Sequence, residues 1–400
     1  MPFFSKNKGG FESSLKKRIV ADDITRLRLK YDLWYQSFDR QEGNKVWLDD
    51  RELLMLSSND YLGLAYDPRV REAARDALME WGTSSTGSRI SNGSRRYHAE
   101  LEEQLAEFLG KEACHIHSAG YLSCLASASA FVGKGDVILV DRNVHSSLWD
   151  GIRLSMASIE RFFHNDPEDL QNVLSYVDAH RKKMLVVEGV YSMEGHLSPL
   201  PKWVKIASEH DCFILLDDAH GFGVMGEQGR GTAHHFGVED HIDVICGSFS
   251  KSLASTGGFI AADRSVIEYL RTYSKQTIFS AALSPSQAAA AAKALEIQRQ
   301  EPEHLRRLWK NTRRYLDFLE NLKLDYWQSQ TPAVPILVGG KEKAYFFQKR
   351  LMEKGVYANL VLPPAVPPGK DLIRTAISAS FTAEDMDRIE DAIAHAAKGR

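Results

Sequence analysis

The segment Gly247-Ser-Phe-Ser-Lys251-Ser252 follows a short apolar run, Val244–Cys246. A lysine just past the carboxyl end of a parallel strand stands where open α/β sheets bind ligands. Its amine can form a Schiff base there with an aldehyde. The hydroxyls of Ser248 and Ser250, three and one residues before it, suit a phosphate. Taken alone, a Ser/Lys turn is more often a solvated loop. A second apolar run enters Asp217-Asp218-Ala219-His220-Gly221. A carboxylate at such a strand end can pair with a protonated ring nitrogen, each stabilising the other's charge. Asp217 and His220 also have a spacing that fits a metal. No further His/Cys cluster has convincing ligand spacing, so no metal is expected.

Three weaker signals complete the set. Ser118-Ala-Gly120-Tyr121 sits between a strand pattern and a helical one, and a small-residue turn at a helix N-terminus offers free N–H groups to an anion. His145, in Asp141-Arg-Asn-Val-His145, and Ser192 each follow another strand-like run. Singly, each of these reads as structural. Collected at the strand ends of one sheet, they match what pyridoxal 5'-phosphate requires: a Schiff-base lysine, a pyridinium partner, a ring-stacking group and a phosphate cradle.

The elements that must position them alternate. β-rich runs at Val137–Val140, Met184–Val187, Cys212–Leu216, Val244–Cys246 and Phe259–Ala261 are separated by helical patterns at Pro68–Trp81, Ala99–Leu109, Pro167–Val177 and Pro201–His210. Such a pattern predicts an α/β fold with a mostly parallel sheet covered on both faces. Three regions are expected: an N-terminal arm over residues 1–45, a large cofactor-binding domain over 46–290 and a small α+β domain over 291–400. The arm contains an amphipathic stretch, Phe11 to Tyr35. The last region reads as one long helix from Ser286 to Leu322, a strand at Ala333–Val338, a helix at Lys343–Lys354, a strand at Val356–Leu362, a Pro-rich turn, a strand at Leu372–Ser378 and a helix at Ala383–Ala396.

Composition narrows the function classes. The 400 residues carry 50 basic and 53 acidic groups, a net charge of −3, which gives no electrostatic footprint for nucleic acid. No apolar run approaches membrane-spanning length. The four cysteines, Cys114, Cys124, Cys212 and Cys246, form no Cys-x-x-Cys pair and no disulfide framework. Met1 to Gly10 has no apolar signal core, so a cytoplasmic location is expected, with membrane contact at most peripheral.

Five segments, in order, carry a family resemblance: Ser57-Ser-Asn-Asp-Tyr-Leu-Gly63, Gly87-Ser-Arg-Ile-Ser-Asn-Gly93, Glu188-Gly-Val-Tyr-Ser-Met-Glu-Gly195, Asp217-Asp-Ala-His-Gly221 through Gly231, and Gly247-Ser-Phe-Ser-Lys251. From about Asp49 onward the chain resembles the α-oxoamine synthases, pyridoxal-phosphate enzymes of the aspartate-aminotransferase fold (fold type I). The resemblance implies that Lys251 holds the cofactor, Asp217 partners its pyridine nitrogen and His145 stacks on its ring. His220 and Ser192 would lie near its phenolic oxygen. Gly120, Tyr121, Ser248 and Ser250 would bind the phosphate, and Ser280 the phosphate of a neighbouring subunit. Asn59 and Arg374 would hold the amino-acid carboxylate, with Ser378 near the substrate. It also implies a homodimer with shared active sites.

The implied reaction joins an amino acid to an acyl thioester, on coenzyme A or a carrier protein, with loss of carbon dioxide. Gly247–Gly258, Lys293-Ala-Leu-Glu-Ile297, Glu301-Pro-Glu-His304, Leu308-Trp-Lys-Asn-Thr312 and Pro364-Ala-Val-Pro367 are similar to the serine palmitoyltransferase branch. That branch implies L-serine, a long-chain acyl-CoA and a product such as 3-ketodihydrosphingosine, hence sphingolipid biosynthesis. Ser378-Ala-Ser-Phe381 lacks a histidine common in the family, Thr83-Ser-Ser-Thr86 departs from the serine-specific pattern, and the arm lacks the Tyr-Phe-Arg pattern of many serine enzymes. Ser147-Leu-Trp-Asp-Gly151 looks somewhat like the autoinducer synthases. The alternatives are therefore 8-amino-7-oxononanoate synthase, glycine C-acetyltransferase, an autoinducer-type synthase and a silent partner subunit.

Overall fold

Along the strand Val137–Asp141, Val137 and Leu139 join one apolar core while Ile138 and Val140 join another. The same alternation divides Lys183–Glu188, Cys212–Asp217 and Gly258–Ala262. Side chains one residue apart point to opposite faces of a sheet, so both faces here are buried under helices. This computed structural model describes residues 11–32 and 34–398. The reading of Met1–Gly10 as free of a signal segment falls outside the described residues.

The central sheet has seven strands, in the order Ala113–His117, Gly258–Ala262, Val244–Ser248, Cys212–Asp217, Lys183–Glu188, Val137–Asp141, Ser158–Phe162. All run parallel except Gly258–Ala262, which is antiparallel to both its neighbours. The chain thus has the fold-type-I α/β architecture. Ser158–Phe162, with its mixed charged and apolar text, was not anticipated. It lies at the sheet edge, half solvated, where an apolar run is not needed.

A second sheet of three strands, Ala333–Leu337, Leu372–Ala376 and Asn359–Val361, is antiparallel throughout. A third collects Arg40–Glu42, Lys45–Leu48, Arg51–Met55 and the two-residue Val356–Tyr357. The expected single strand Val356–Leu362 is therefore split between two sheets. The expected long helix from Ser286 to Leu322 is also two, Pro285–Gln300 and Glu303–Asn321. Pro302 has no N–H to donate and pushes Glu301 out of the helical region, to φ −120°, ψ 80°. The amphipathic stretch in the arm divides at Asp22, whose carboxylate accepts from the Thr25 N–H and caps the helix Asp23–Tyr31.

Candidate functional site

Five parallel strands deliver the chemistry to one edge of the sheet. Beyond Ala113–His117 come Ser118 to Tyr121. His145 follows Val137–Asp141, and Ser192 follows Lys183–Glu188. Asp217 ends its own strand, with His220 three residues on, and Ser250 and Lys251 follow Val244–Ser248. Together with Asn59 and Arg374 they line one cleft of about 820 Å³. Of the expected residues, the structure gathers Asn59, Gly120, Tyr121, His145, Ser192, Asp217, His220, Ser248, Ser250, Lys251 and Arg374 here.

Lys251 is buried enough that desolvation lowers its pKa, with the Asp217 carboxylate opposing. An amine whose proton is held less tightly suits nucleophilic attack on an aldehyde. Asp217 is 5% exposed and accepts from the Ala219 N–H at 3.0 Å through Oδ1 and from the Cys124 thiol at 3.1 Å through Oδ2. The neighbouring Asp218 ties a loop instead, accepting from the Thr232 N–H at 2.7 Å and from the Thr232 hydroxyl. Burial holds the Asp218 carboxyl up at about 7.

Cys124, Asp217 and Cys246 form a buried cluster compact enough for a metal ion. The hydrogen bond with Cys246 and burial push the Cys124 thiol well up, which suits it as a hydrogen-bond donor to Asp217. His145 caps the helix Ser146–Ser155, and its Nδ1 lies 2.7 Å from the Ser147 hydroxyl. Burial lowers its pKa, with Asp217 opposing and Lys251 assisting.

The phosphate-type turn is built for close approach. Gly120 opens the helix Gly120–Ala130, whose N-cap Ala119 makes no side-chain cap, so the leading N–H groups remain for an anion. A Cβ on Gly120 would sit 2.5 Å from the Ser248 hydroxyl. Ser248 and Ser250 hydroxyls lie 2.7 Å apart beside it. Arg374 donates from Nε to the Ser192 carbonyl and from NH2 to Asn59 Oδ1, both at 3.0 Å. No carboxylate among the described residues pairs with it, so its charge is left for the cleft. These residues fit pyridoxal phosphate: an amine for its aldehyde, a carboxylate for its ring nitrogen, and a helix end with two hydroxyls for its phosphate.

Two expected residues are not brought to this cleft. Ser378 turns its hydroxyl onto the Asp60 carbonyl at 2.7 Å and to Ser380 at 2.9 Å, holding a turn. Ser280 lies beside the bridge of Ser88 with Ala281, outside the cleft of its own chain. Glu188 and Cys124 are among the cleft residues that carried no expected role. Glu188, paired in register with Asp217, accepts from the His145 N–H at 2.5 Å, and burial followed by the Asp217 charge pushes its carboxyl well up. Its signal was in the text, a carboxylate closing an apolar strand as Asp217 does. Cys124 had no such signal, because its contact with Asp217 spans 93 residues.

The family model for aminotransferase class I and II matches residues 51–393. The chain belongs to that family, in its α-oxoamine synthase branch. It is 42% identical over 360 residues to a serine palmitoyltransferase from Sphingobacterium spiritivorum, covering 90% of each chain. It is 41% identical over 341 residues to an 8-amino-7-oxononanoate synthase from Symbiobacterium thermophilum, covering 85% of this chain and 87% of that one. A variant serine palmitoyltransferase from S. paucimobilis, solved with a pyridoxal phosphate–myriocin aldimine, superposes with a TM-score of 0.93 at 29% identity over 98% of this chain and 99% of that one. The enzyme is thus a pyridoxal-phosphate-dependent C-acyltransferase. Among the described residues no helix is long and apolar enough to cross a membrane.

Proposed function

We propose that this enzyme condenses L-serine with a long-chain acyl-CoA, releasing carbon dioxide and coenzyme A and giving a 3-keto long-chain base. One observation carries the choice of acyl group. Besides the residues already described, the cleft is lined by Trp34, Tyr357, Leu360, Val361, Leu362 and Ala365, together with Tyr35 and with Asn359, which is paired in register with Arg374. A largely apolar wall favours an alkyl chain over the terminal carboxylate of a pimeloyl group, which would compete there for Arg374, the cation this reading gives to the amino acid. The Trp34 indole donates to the Leu360 carbonyl at 3.2 Å, which fixes the wall to the N-terminal arm.

The residue roles form part of the proposal. Arg374, steadied by Asn59 and Ser192, binds the amino-acid carboxylate. Lys251 would hold the cofactor through its amine, and the same amine, once free, would be placed to take the Cα proton. Bound pyridoxal phosphate supplies an electron sink for the pair left at Cα. Asp217, held in place by the Cys124 thiol and the Ala219 N–H, would keep the ring nitrogen protonated. His145 would cover the ring face. Gly120, Tyr121, Ser248 and Ser250 hold the phosphate. Ser280 would serve a second copy, in a homodimer whose active sites are shared.

Adding glycine, alanine and serine separately to the holoenzyme, while following its visible absorption, tests the amino acid. Serine is expected to change the spectrum at the lowest concentration. A tighter response to alanine would transfer the proposal to the 8-amino-7-oxononanoate synthase reading.

A further inference from the structure

Tyr61 is wholly buried in the turn after the strand Arg51–Met55, and its hydroxyl lies 2.8 Å from Nδ1 of His220. Distance alone does not say which group donates. Their surroundings decide it. Burial raises the phenol's pKa, with Arg374 pulling it back, so the hydroxyl keeps its proton at neutral pH. Burial, then the charges of Lys251, Arg374 and His145, press the imidazole's pKa well below its usual range, so it is neutral and carries a single N–H. The Arg374 charge also acts on this phenol, and an oxygen facing a cation turns a lone pair to it, which favours the hydroxyl hydrogen on the His220 side. Nδ1 is then the acceptor, and the ring hydrogen must sit on Nε2.

We propose that Tyr61 is a positioning residue that fixes His220 as its Nε2–H tautomer, a hydrogen-bond donor on the cleft wall, and links that donor to the carboxylate-binding Arg374. Without Tyr61 the ring can place its hydrogen on either nitrogen, and the cleft can face a lone pair instead. The inference rests on the reading in which the cofactor's phenolic oxygen lies beside His220. A donor held against that oxygen draws electron density from it and lowers the pH at which the lysine–cofactor linkage loses its proton. Binding of a carboxylate to Arg374 would also be felt at His220 through the same phenol. The groups that face His220 and share this titration are Tyr61, Lys251, Arg374 and His145.

The test is a pH titration of the visible absorption of the full-length holoenzyme. Tyr61→Phe keeps the ring and removes the donor. Its midpoint is expected to rise by about one pH unit, the scale of one lost hydrogen bond to an ionised oxygen. Replacing Tyr61 by 3-fluorotyrosine, a near-isosteric and stronger donor, is expected to move the midpoint down. In a His220→Ala background, Tyr61→Phe is expected to move nothing, because the effect runs through the imidazole. An unchanged midpoint in Tyr61→Phe would overturn the proposal, as would the same shift with His220 absent. Lys251→Ala, titrated alongside, must abolish the transition. If it does not, the reading of the cleft fails and takes this inference with it. If it does, a null result at Tyr61 counts against Tyr61 alone.

Discussion

Two buried carboxylates, Glu102 and Glu188, lie in different parts of the same α/β body and are treated in opposite ways. Glu102, on the helix Arg96–Leu109, accepts from Arg89 at 2.8 and 3.1 Å, from Arg271 at 3.1 Å and from the Ile116 N–H at 3.0 Å, with His115 at 3.2 Å. Burial pushes its carboxyl up, but His115 and Arg89 outweigh that and hold it well below the usual range. Glu188 accepts from one backbone N–H and faces the carboxylates of Asp217, Glu194 and Asp141, and burial first, then those charges, drives it the other way. The two arginines differ in the same manner. Arg89 spends its guanidinium on Glu102, while Arg374 spends two N–H groups on neutral oxygens and keeps its charge uncompensated. A charge balanced inside the protein holds the fold, whereas one left unbalanced at a strand end is a site awaiting a ligand.

The largest expected effect tests the cleft side of that contrast. Lys251→Ala should reduce condensation on the order of 10⁴-fold with little change in thermal unfolding, as checked by product assay and calorimetry. Glu102→Ala should do the reverse, costing about 3 kcal/mol of stability in denaturant titration by removing the carboxylate that half-buried Arg89 and Arg271 share. Equal stability losses in the two variants would break the comparison. Arg374→Ala should weaken amino-acid binding about 100-fold, the scale of a charge-assisted pair, while the holoenzyme keeps its visible band. Loss of the band instead would remove its carboxylate role.

Much of the cleft was legible because its residues close apolar strands. Asp217, Ser248 and Lys251 are each announced by the run before them, and the parallel sheet then brings distant segments to one edge. Tyr61 and Cys124 carried no such announcement. Their partners, His220 and Asp217, are 159 and 93 residues away, and no local pattern encodes a contact of that range. The break at Pro302 was within reach of local reasoning, since a proline stands in the middle of the helical text. The strand expected to run to Ser378 stops at Ala376, and the chain turns there so that the Ser378 hydroxyl donates to the Asp60 carbonyl.

pH separates the two carboxylates with smaller effects. Glu102 has a lowered folded pKa, so its contribution is complete above the unfolded carboxylate value near 4.3 and is lost as pH falls below it. His98, one turn earlier on the same helix, is pressed by burial down to about 4, so stability should also decline as pH falls from about 6.5 to 4. Glu188 has a raised pKa: the folded chain binds the extra proton, and its contribution declines as pH rises above about 4.3. Glu102→Gln should flatten the acid limb of the unfolding midpoint against pH, and Glu188→Gln should flatten the decline at higher pH. At neutral pH Glu188→Gln, which resembles the protonated acid and escapes that decline, should leave stability unchanged or raised and never lowered. A loss as large as that of Glu102→Ala would mean that Glu188 is a paired structural charge after all.

An uncompensated, strand-end site with an apolar wall should perform decarboxylative condensation on a long acyl chain. The most direct test is to incubate the holoenzyme with serine plus palmitoyl-CoA and, separately, with alanine plus pimeloyl-CoA, and to compare kcat/KM by mass detection of the amino ketones. The expected result is 3-ketodihydrosphingosine, formed with one carbon dioxide per free coenzyme A and with the higher kcat/KM of the two. Preference for alanine and the pimeloyl thioester would contradict the assignment of the apolar wall, and absence of either amino ketone would contradict the chemistry assigned to the cleft itself.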